Sequence, residues 1–101
     1  MSKKASNQKA SEKQENKKKV SFSITEPTAK EIILMGDFNK WDPTVHPMEN
    51  DGTGVWSKSV MIAPGTYEYK FLIDGQWKED PGNEQTCPNS FGTLNSILNL
   101  N

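Results

Sequence analysis

Apolar residues after position 19 recur at every second residue in short runs, which is the spacing of β-strands that bury one face. The stretch "VSFSIT" (20–25) alternates Val20, Phe22 and Ile24 with serine and threonine. The stretch "YEYKFLIDG" (67–75) repeats this pattern and ends in Asp-Gly, which is typical of hairpin turns because type I′ turns need positive φ. Both segments therefore predict strands.

Three other apolar runs complete the predicted sheets. "EIILM" (31–35) suits a strand buried on both faces, "VWSKSVMI" (55–62) places Trp56 on a core face, and "TLNSILNL" (93–100) forms the last strand. Gly, Pro, Asn and Asp separate these runs, and after "QWKEDP" (76–81) a long polar loop is predicted to run to Ser90. No amphipathic helix of ten or more residues is evident. This pattern predicts an all-β fold, an antiparallel β-sandwich.

The first 19 residues differ from the rest of the chain. They hold seven lysines and two glutamates and no periodic apolar pattern, so we predict a disordered tail at 1–19 and one domain at 20–101. The tail is either a basic arm for an anionic partner or a flexible leader, and its interspersed polar residues favour the leader. Residues 20–101 hold five lysines and eleven acidic residues. This excess of negative charge disfavours nucleic acid as a partner.

The chain shows no sign of membrane insertion or secretion. No stretch approaches the roughly 18–20 apolar residues of a membrane span, and the N-terminus lacks the apolar region of a signal peptide. A single cysteine, Cys87, excludes an intramolecular disulfide. We therefore predict a cytoplasmic location and no membrane partner.

Few residues favour catalysis. His46 is the only histidine and is predicted to be a solvated bystander, while Cys87 has no neighbouring base and is predicted to fill a loop. One Cys and one His do not make a zinc site. Acidic residues that a glycosidase would need in a pair fall in turns that explain them, namely Asp37, Asp42, Asp74, Glu79 and Asp80. We therefore expect no enzymatic activity, no cofactor and no metal.

Two tryptophans stand in polar turns, in contrast to Trp56. Trp41 in "GDFNKWDP" and Trp77 in "DGQWKEDP" each follow a turn and precede an acidic residue and proline. Each either caps one end of the core or faces outward, where the flat apolar indole stacks on the C–H face of a sugar ring. Lys70 and Asn95 fall on the outward phase of their strands and supply hydrogen bonds. Their combination favours a shallow sugar-binding surface.

The three segments "GDFNKWDP", "GTYEYKFLIDGQWKEDP" and "FGTLNSILNL" together resemble the carbohydrate-binding modules of family 48. These modules include the glycogen-binding domain of the AMP-activated protein kinase β subunit and the N-terminal domain of isoamylase. The resemblance covers about Val20 to Asn101. It implies an early-set immunoglobulin-like sandwich that binds α-1,4-glucan (glycogen, starch or maltooligosaccharide) without hydrolysing it.

The resemblance also implies which residues contact glucan. Trp41 and Trp77 match the two stacking tryptophans, and the lysine of the "YKF" strand matches Lys70. Thr93 and Asn95 match the threonine and asparagine that contact sugar. Phe91 stands where those modules carry an aliphatic side chain that reaches through the ring of the sugar chain, which is a departure from the family.

A hypothesis from another class remains open. The sandwich would serve as a protein-interaction or regulatory module that docks a kinase or a glucan-metabolising enzyme in trans, through a sheet edge or the lysine-rich tail. Glucan binding would survive deletion of the tail, whereas docking through the tail would not.

Overall fold

Eight strands form two antiparallel sheets in the computed structural model, which describes residues 16–101. The strands are β1 (Lys18–Thr25), β2 (Ile32–Gly36), β3 (Glu49–Asn50), β4 (Val55–Ile62), β5 (Gly65–Ile73), β6 (Gln76–Lys78), β7 (Thr86–Pro88) and β8 (Leu94–Leu100). The helical content of this part of the chain is one 3-10 turn, Asp37–Asn39, and no helix in residues 16–101 is long and apolar enough to cross a membrane.

The smaller sheet has the order β1-β4-β3, and the larger sheet has the order β2-β5-β8-β7. Strand β6 also pairs with β5, through the Asp74-Gly75 hairpin that the sequence predicted. The sheets pack face to face around one hydrophobic core, whose buried members include Phe22, Ile24, Ile32, Leu34, Met48, Trp56, Val60, Ile62, Tyr69 and Phe71. The predicted antiparallel β-sandwich is confirmed, and Trp56 is a core residue.

Strand register decides which side chains of the larger sheet face away from the core. Tyr69 and Phe71 of β5 are buried in the core, so the intervening Lys70 faces the opposite side. Across the ladder Leu72 is opposite Trp77, and Cys87 is opposite Asn95. The outer face of the larger sheet therefore presents Lys70, Trp77 and Asn95 on one side of the molecule.

The predicted polar loop up to Ser90 is interrupted by β7, and β6 lies in the preceding stretch 76–81, where no strand was predicted. Each has only three residues, which is too few to show a period of two. Both form by pairing, β6 with the adjacent β5 and β7 with β8. Their role is to place Trp77 and Cys87 on the outer face.

Strand β1 begins at Lys18, so two residues that we assigned to the tail pair with β4. The rest of the predicted disordered tail, at residues 1–15, lies outside the described residues.

Candidate functional site

The loop that carries Trp41 follows β2 directly. After the 3-10 turn, Lys40 (φ 59°) and Trp41 (φ 57°) both adopt left-handed backbone, which costs an L-residue about 1–2 kcal/mol. The buried Asn39 side chain offsets this cost, because its Oδ1 accepts hydrogen bonds from the backbone N–H groups of Gly36 and Trp41, each at 3.1 Å. The loop conformation is thus held by one internal amide.

Asp37 holds the indole of Trp41 in place. Trp41 Nε1 donates to Asp37 Oδ1 at 2.9 Å, and the backbone N–H of Glu68 donates to Asp37 Oδ2 at 2.8 Å. Glu68 belongs to β5, so the indole is tied to the larger sheet rather than to its own loop alone. The neighbouring Phe38 packs inward against Phe22 and Tyr69.

Trp77 reaches the same place from the β5–β6 hairpin. The ring centroids of Trp41 and Trp77 lie 6.0 Å apart, with their planes at 65°. Trp77 remains 51% exposed. The hairpin is anchored by Asp74, whose carboxylate accepts hydrogen bonds from the backbone N–H groups of Lys30 and Glu31. Two indoles from distant segments therefore form an angled, partly open wall.

A cavity of about 1130 Å³ lies beside the two indoles. The structure brings all six predicted site residues together around it, namely Trp41, Lys70, Trp77, Phe91, Thr93 and Asn95. Lys70 and Asn95 are only 6% and 7% exposed, so they form a sunken floor rather than part of the shallow surface that we expected. The difference arises because the loop between β7 and β8 lines the cavity beside them, through Asn89, Ser90, Phe91 and Thr93.

The polar floor is a connected hydrogen-bond network. Lys70 Nζ and Asn89 Nδ2 both donate to Thr93 Oγ1, at 3.0 and 2.8 Å. Asn89 Nδ2 also donates to Asn95 Oδ1 at 2.9 Å, and Asn95 Nδ2 donates to Glu68 Oε1 at 2.9 Å. Together with Asp37, these bonds connect the indole of Trp41 to the ammonium of Lys70.

The direction of each bond in this network follows from the backbone. Asn89 Oδ1 accepts from the N–H groups of Phe91 and Thr93, so its Nδ2 must face Thr93 and Asn95. Thr93 Oγ1 accepts from two groups that only donate, which leaves its own proton free to donate. The ammonium of Lys70 has three protons and donates one of them to Thr93, so two remain available to donate. The floor therefore presents spare donors to the cavity.

Phe91 stands at the rim of the cavity and is 88% exposed. Its loop is closed by two further bonds, from the N–H of Asn89 to the carbonyl of Thr93 and from the N–H of Gly92 to the carbonyl of Asn89. An apolar ring held this far into solvent gains little from burial within this chain.

His46 is not the solvated bystander that the sequence suggested. Its Nδ1 accepts a hydrogen bond from Asn39 Nδ2 at 2.9 Å, an orientation set by the backbone donors on Asn39 Oδ1. Partial burial lowers the pKa of His46, and the nearby charge of Lys58 lowers it further. His46 therefore supports the Trp41 loop in its neutral form.

Cys87 lies half-buried on the outer face, next to the floor. Burial raises the pKa of the Cys87 thiol, and a hydrogen bond to Glu68 and the charges of Glu68 and Asp37 raise it further. A thiol with these neighbours stays protonated and unreactive. Within residues 16–101, no group of three or more His, Cys, Asp and Glu side chains is arranged to hold a metal ion.

Three residues that support the site were not predicted from the sequence: Asp37, Glu68 and Asn89. Glu68 shares the outward phase of β5 with Lys70, which was a usable signal. Asp37 was assigned to a turn and Asn89 fell within the predicted polar loop, but each also makes hydrogen bonds that support the site. Alternation and turn composition do not show such bonds.

A sandwich that carries paired indoles above a polar floor has the features of a carbohydrate-binding module. Comparison with known proteins agrees. The family model described as the glycogen recognition site of AMP-activated protein kinase matches residues 19–101. The chain therefore belongs to the family of AMP-activated protein kinase glycogen recognition sites, whose function is noncatalytic glucan binding.

Individual relatives come from animals and plants. The AMP-activated protein kinase subunit β-1 of Sus scrofa is 34% identical over 70% of this chain and 55% of its own length. The human subunit β-2 is 31% identical over 70% of this chain and 25% of its length. The Arabidopsis thaliana protein PTST homolog 2, chloroplastic, is 46% identical over 54% of this chain and 10% of its length. The chain thus spans about half or less of these relatives.

Proposed function

We propose that this module holds an α-1,4-glucan chain by stacking successive glucose rings on Trp41 and Trp77. The observation that carries the proposal is the pair of indoles, 6.0 Å apart at the wall of a 1130 Å³ cavity. An indole face is apolar and carries a negative quadrupole, so it attracts the C–H face of a pyranose. The family assignment supports a glucan as the ligand.

The angle between the indoles favours a curved chain. Two planes at 65° offer two differently tilted surfaces to neighbouring sugars. An α-1,4-linkage turns each glucose relative to the last, whereas a β-1,4-linkage gives a straight, flat chain. We therefore expect maltooligosaccharides to bind and cellooligosaccharides of equal length to bind far more weakly.

Polar contacts come from the floor and an apolar contact from the rim. The spare protons of Lys70 and Thr93 would donate to glucose hydroxyls, and Asn95 adds an amide. Phe91 would cover the outer side of the chain. Because the site is open and has few contacts, we expect a dissociation constant on the order of micromolar to millimolar.

Co-sedimentation with glycogen tests the proposal. The full chain should pellet with glycogen, and Trp41→Ala and Trp77→Ala should each lose most of this binding while keeping the unfolding temperature within a few degrees. Met61→Ala is the matched control, since Met61 is a 54% exposed apolar residue of β4 in the other sheet.

Two outcomes would overturn the stacking role. Retention on glycogen by both tryptophan variants would show that the indoles are not needed. Unfolding of either variant would show that the indole belongs to the core, because a half-exposed surface side chain is not required for folding.

A second candidate function is the docking of a kinase or glucan-metabolising enzyme in trans. It is favoured by the names of the kinase relatives, which are subunits of a larger assembly. The outer face of the smaller sheet is free of glucan-site residues and carries the exposed residues Ser21, Ser23, Ser57 and Ser59. Lysine substitution of Ser23 and Ser57 should abolish capture of such an enzyme and leave glycogen binding intact. Loss of both activities, or of neither, would exclude this surface.

We propose a cytoplasmic location, which the single cysteine supports, although two relatives, from Arabidopsis thaliana and Oryza sativa, are named as chloroplastic. Fluorescence microscopy of the tagged native gene product would decide between the two.

A further inference from the structure

A second, smaller cavity adjoins Trp77. It has a volume of about 400 Å³, and Trp77 is the side chain that it shares with the larger cavity. Sites for small molecules range from roughly 300 to 1,000 Å³, so this cavity is large enough to receive part of a ligand.

Strand geometry places different groups in the two cavities. Successive side chains of a strand point to opposite faces, so Gln76 and Lys78 point away from the face on which Trp77 flanks Lys70. Both Gln76 and Lys78 line the smaller cavity. The three-residue strand β6 thus lies between the two cavities, and the half-exposed indole of Trp77 lies at the boundary between them.

The walls of the smaller cavity are held in place by the fold. Lys78 Nζ bonds Glu26 Oε2 at 2.8 Å, which connects β6 to the residue that follows β1 in the other sheet. The carboxylate of Asp74 accepts backbone N–H groups and fixes the hairpin turn. Gln76 is exposed and offers two donors and one acceptor, and Lys78 keeps two protons beyond its ion pair. These polar groups suit a neutral ligand rich in hydroxyls.

We propose that the smaller cavity is a subsite for the glucose residues by which a longer glucan extends past Trp77, with Gln76 and Lys78 as its hydrogen-bonding residues. The inference rests on the proposed function, because it takes Trp77 as a stacking residue. The chain would contact the indole from the larger cavity, cross the free edge of β6 and continue into the smaller one. Chains too short to pass Trp77 would leave the subsite empty.

Titration calorimetry of the full chain with maltotriose and maltodecaose tests the subsite. Gln76→Ala and Lys78→Ala should each weaken maltodecaose binding about three- to tenfold, the effect of one lost hydrogen bond, and change maltotriose binding less than twofold. Gln85→Ala and Lys19→Ala are the controls of matched residue type outside both cavities and should change neither. Because Lys78 and Glu26 form a partly exposed ion pair, the variant should still fold.

Unchanged maltodecaose binding in both variants would overturn the subsite, as would an equal loss for short and long chains. Failure of the proposed function gives a different result, in which Trp41→Ala retains full affinity for both oligosaccharides.

Discussion

Trp41 Nε1 donates a hydrogen bond to Asp37 Oδ1 at 2.9 Å, and this single bond sets the direction of an indole whose backbone is strained. The other oxygen of the same carboxylate accepts the backbone N–H of Glu68. Asp37 therefore fixes the angle between the Trp41 loop and strand β5, and with it the shape of the indole wall.

Replacing Asp37 should weaken both glucan binding and the fold, by similar free energies. Asp37→Ala removes both acceptors, so we expect maltoheptaose affinity to fall about fivefold and the free energy of unfolding to fall by about 1 kcal/mol. Asp37→Asn keeps one acceptor oxygen and should recover part of the affinity. Titration calorimetry measures the maltoheptaose affinity, and urea unfolding measures the free energy of unfolding. An alanine variant with unchanged affinity would show that the hydrogen bond to Asp37 does not orient Trp41.

Mild acid should destabilise the module through His46. Its pKa is lowered in the folded state, so below its ordinary value of 6.5 the unfolded chain takes up a proton that the folded chain does not. Stability is therefore lost as the pH falls from about 6.5 through the folded pKa. Protonated Nδ1 also no longer accepts from Asn39, which loosens the Trp41 loop.

The measurement is the unfolding free energy at pH 7.5 and pH 5, with His46→Gln as the comparison. The glutamine variant should lose the pH-dependent step across this interval and keep any step due to carboxylates. An identical pH dependence in both proteins would show that His46 does not couple to folding.

Removing the hydroxyl of Tyr69 should loosen the segment after Trp77. Tyr69 donates to Asp80 Oδ2 at 2.7 Å and accepts from Asn83 Nδ2 at 3.1 Å. Tyr69→Phe removes one hydrogen bond from each partner, while Asn83 Nδ2 keeps its bond to the carbonyl of Ile97 and Asp80 Oδ1 keeps its bond from the N–H of Gly82. The substitution should cost about 1–3 kcal/mol in unfolding free energy. Hydrogen exchange of the backbone amides of residues 80–85 should accelerate, and unchanged exchange there would mean that the loop is held by other contacts.

The same hydroxyl predicts an alkaline effect. Burial, chiefly, raises the pKa of Tyr69 above its ordinary value of 10.0. The unfolded chain then loses this proton at lower pH than the folded chain does, so stability falls as the pH rises above about 10. Wild type should lose more stability than Tyr69→Phe between pH 9 and pH 11.

A side chain at position 36 should lower the free energy of unfolding. A Cβ there would lie 2.8 Å from both Phe38 Cε2 and Tyr69 Cβ, and 2.9 Å from the carbonyl of Glu68. The backbone is extended, so the cost of Gly36→Ala is steric and should be about 1–3 kcal/mol. Urea unfolding checks this value, and Ser59→Ala on the exposed outer face of β4 serves as a surface control. An alanine variant as stable as wild type would show that the 3-10 turn can shift.

The long strands were predictable because each buries one face over several residues. Phe22 and Ile24 alternate with exposed serines, and Tyr69 and Phe71 flank Lys70, so the pattern alone places them. Strand phase and turn position indicated Trp41, Trp77, Lys70 and Asn95, and the resemblance to family 48 added Phe91 and Thr93. All six line one cavity.

Features that depend on distant contacts were not predictable. The burial of Lys70 depends on a loop twenty residues later, and the role of His46 depends on how Asn39 is oriented by the Trp41 turn. Strands β6 and β7 form by backbone pairing with the edges of the longer strands β5 and β8. None of these contacts produces an alternation of apolar and polar residues in the local sequence.

The six predicted glucan residues line one cavity beside the outer face of the larger sheet, which gives this cavity a single direction of approach. Two copies joined side by side, with these cavities facing the same way, would therefore reach two separate glucan chains at once, and the second contact would form at a high effective concentration. A glycogen particle displays many chains, so avidity would multiply a weak single-site affinity by roughly 10²–10⁴. A short free oligosaccharide would gain none of it. The number of modules per assembly, rather than the strength of one cavity, would then determine how firmly a protein stays on a glycogen surface.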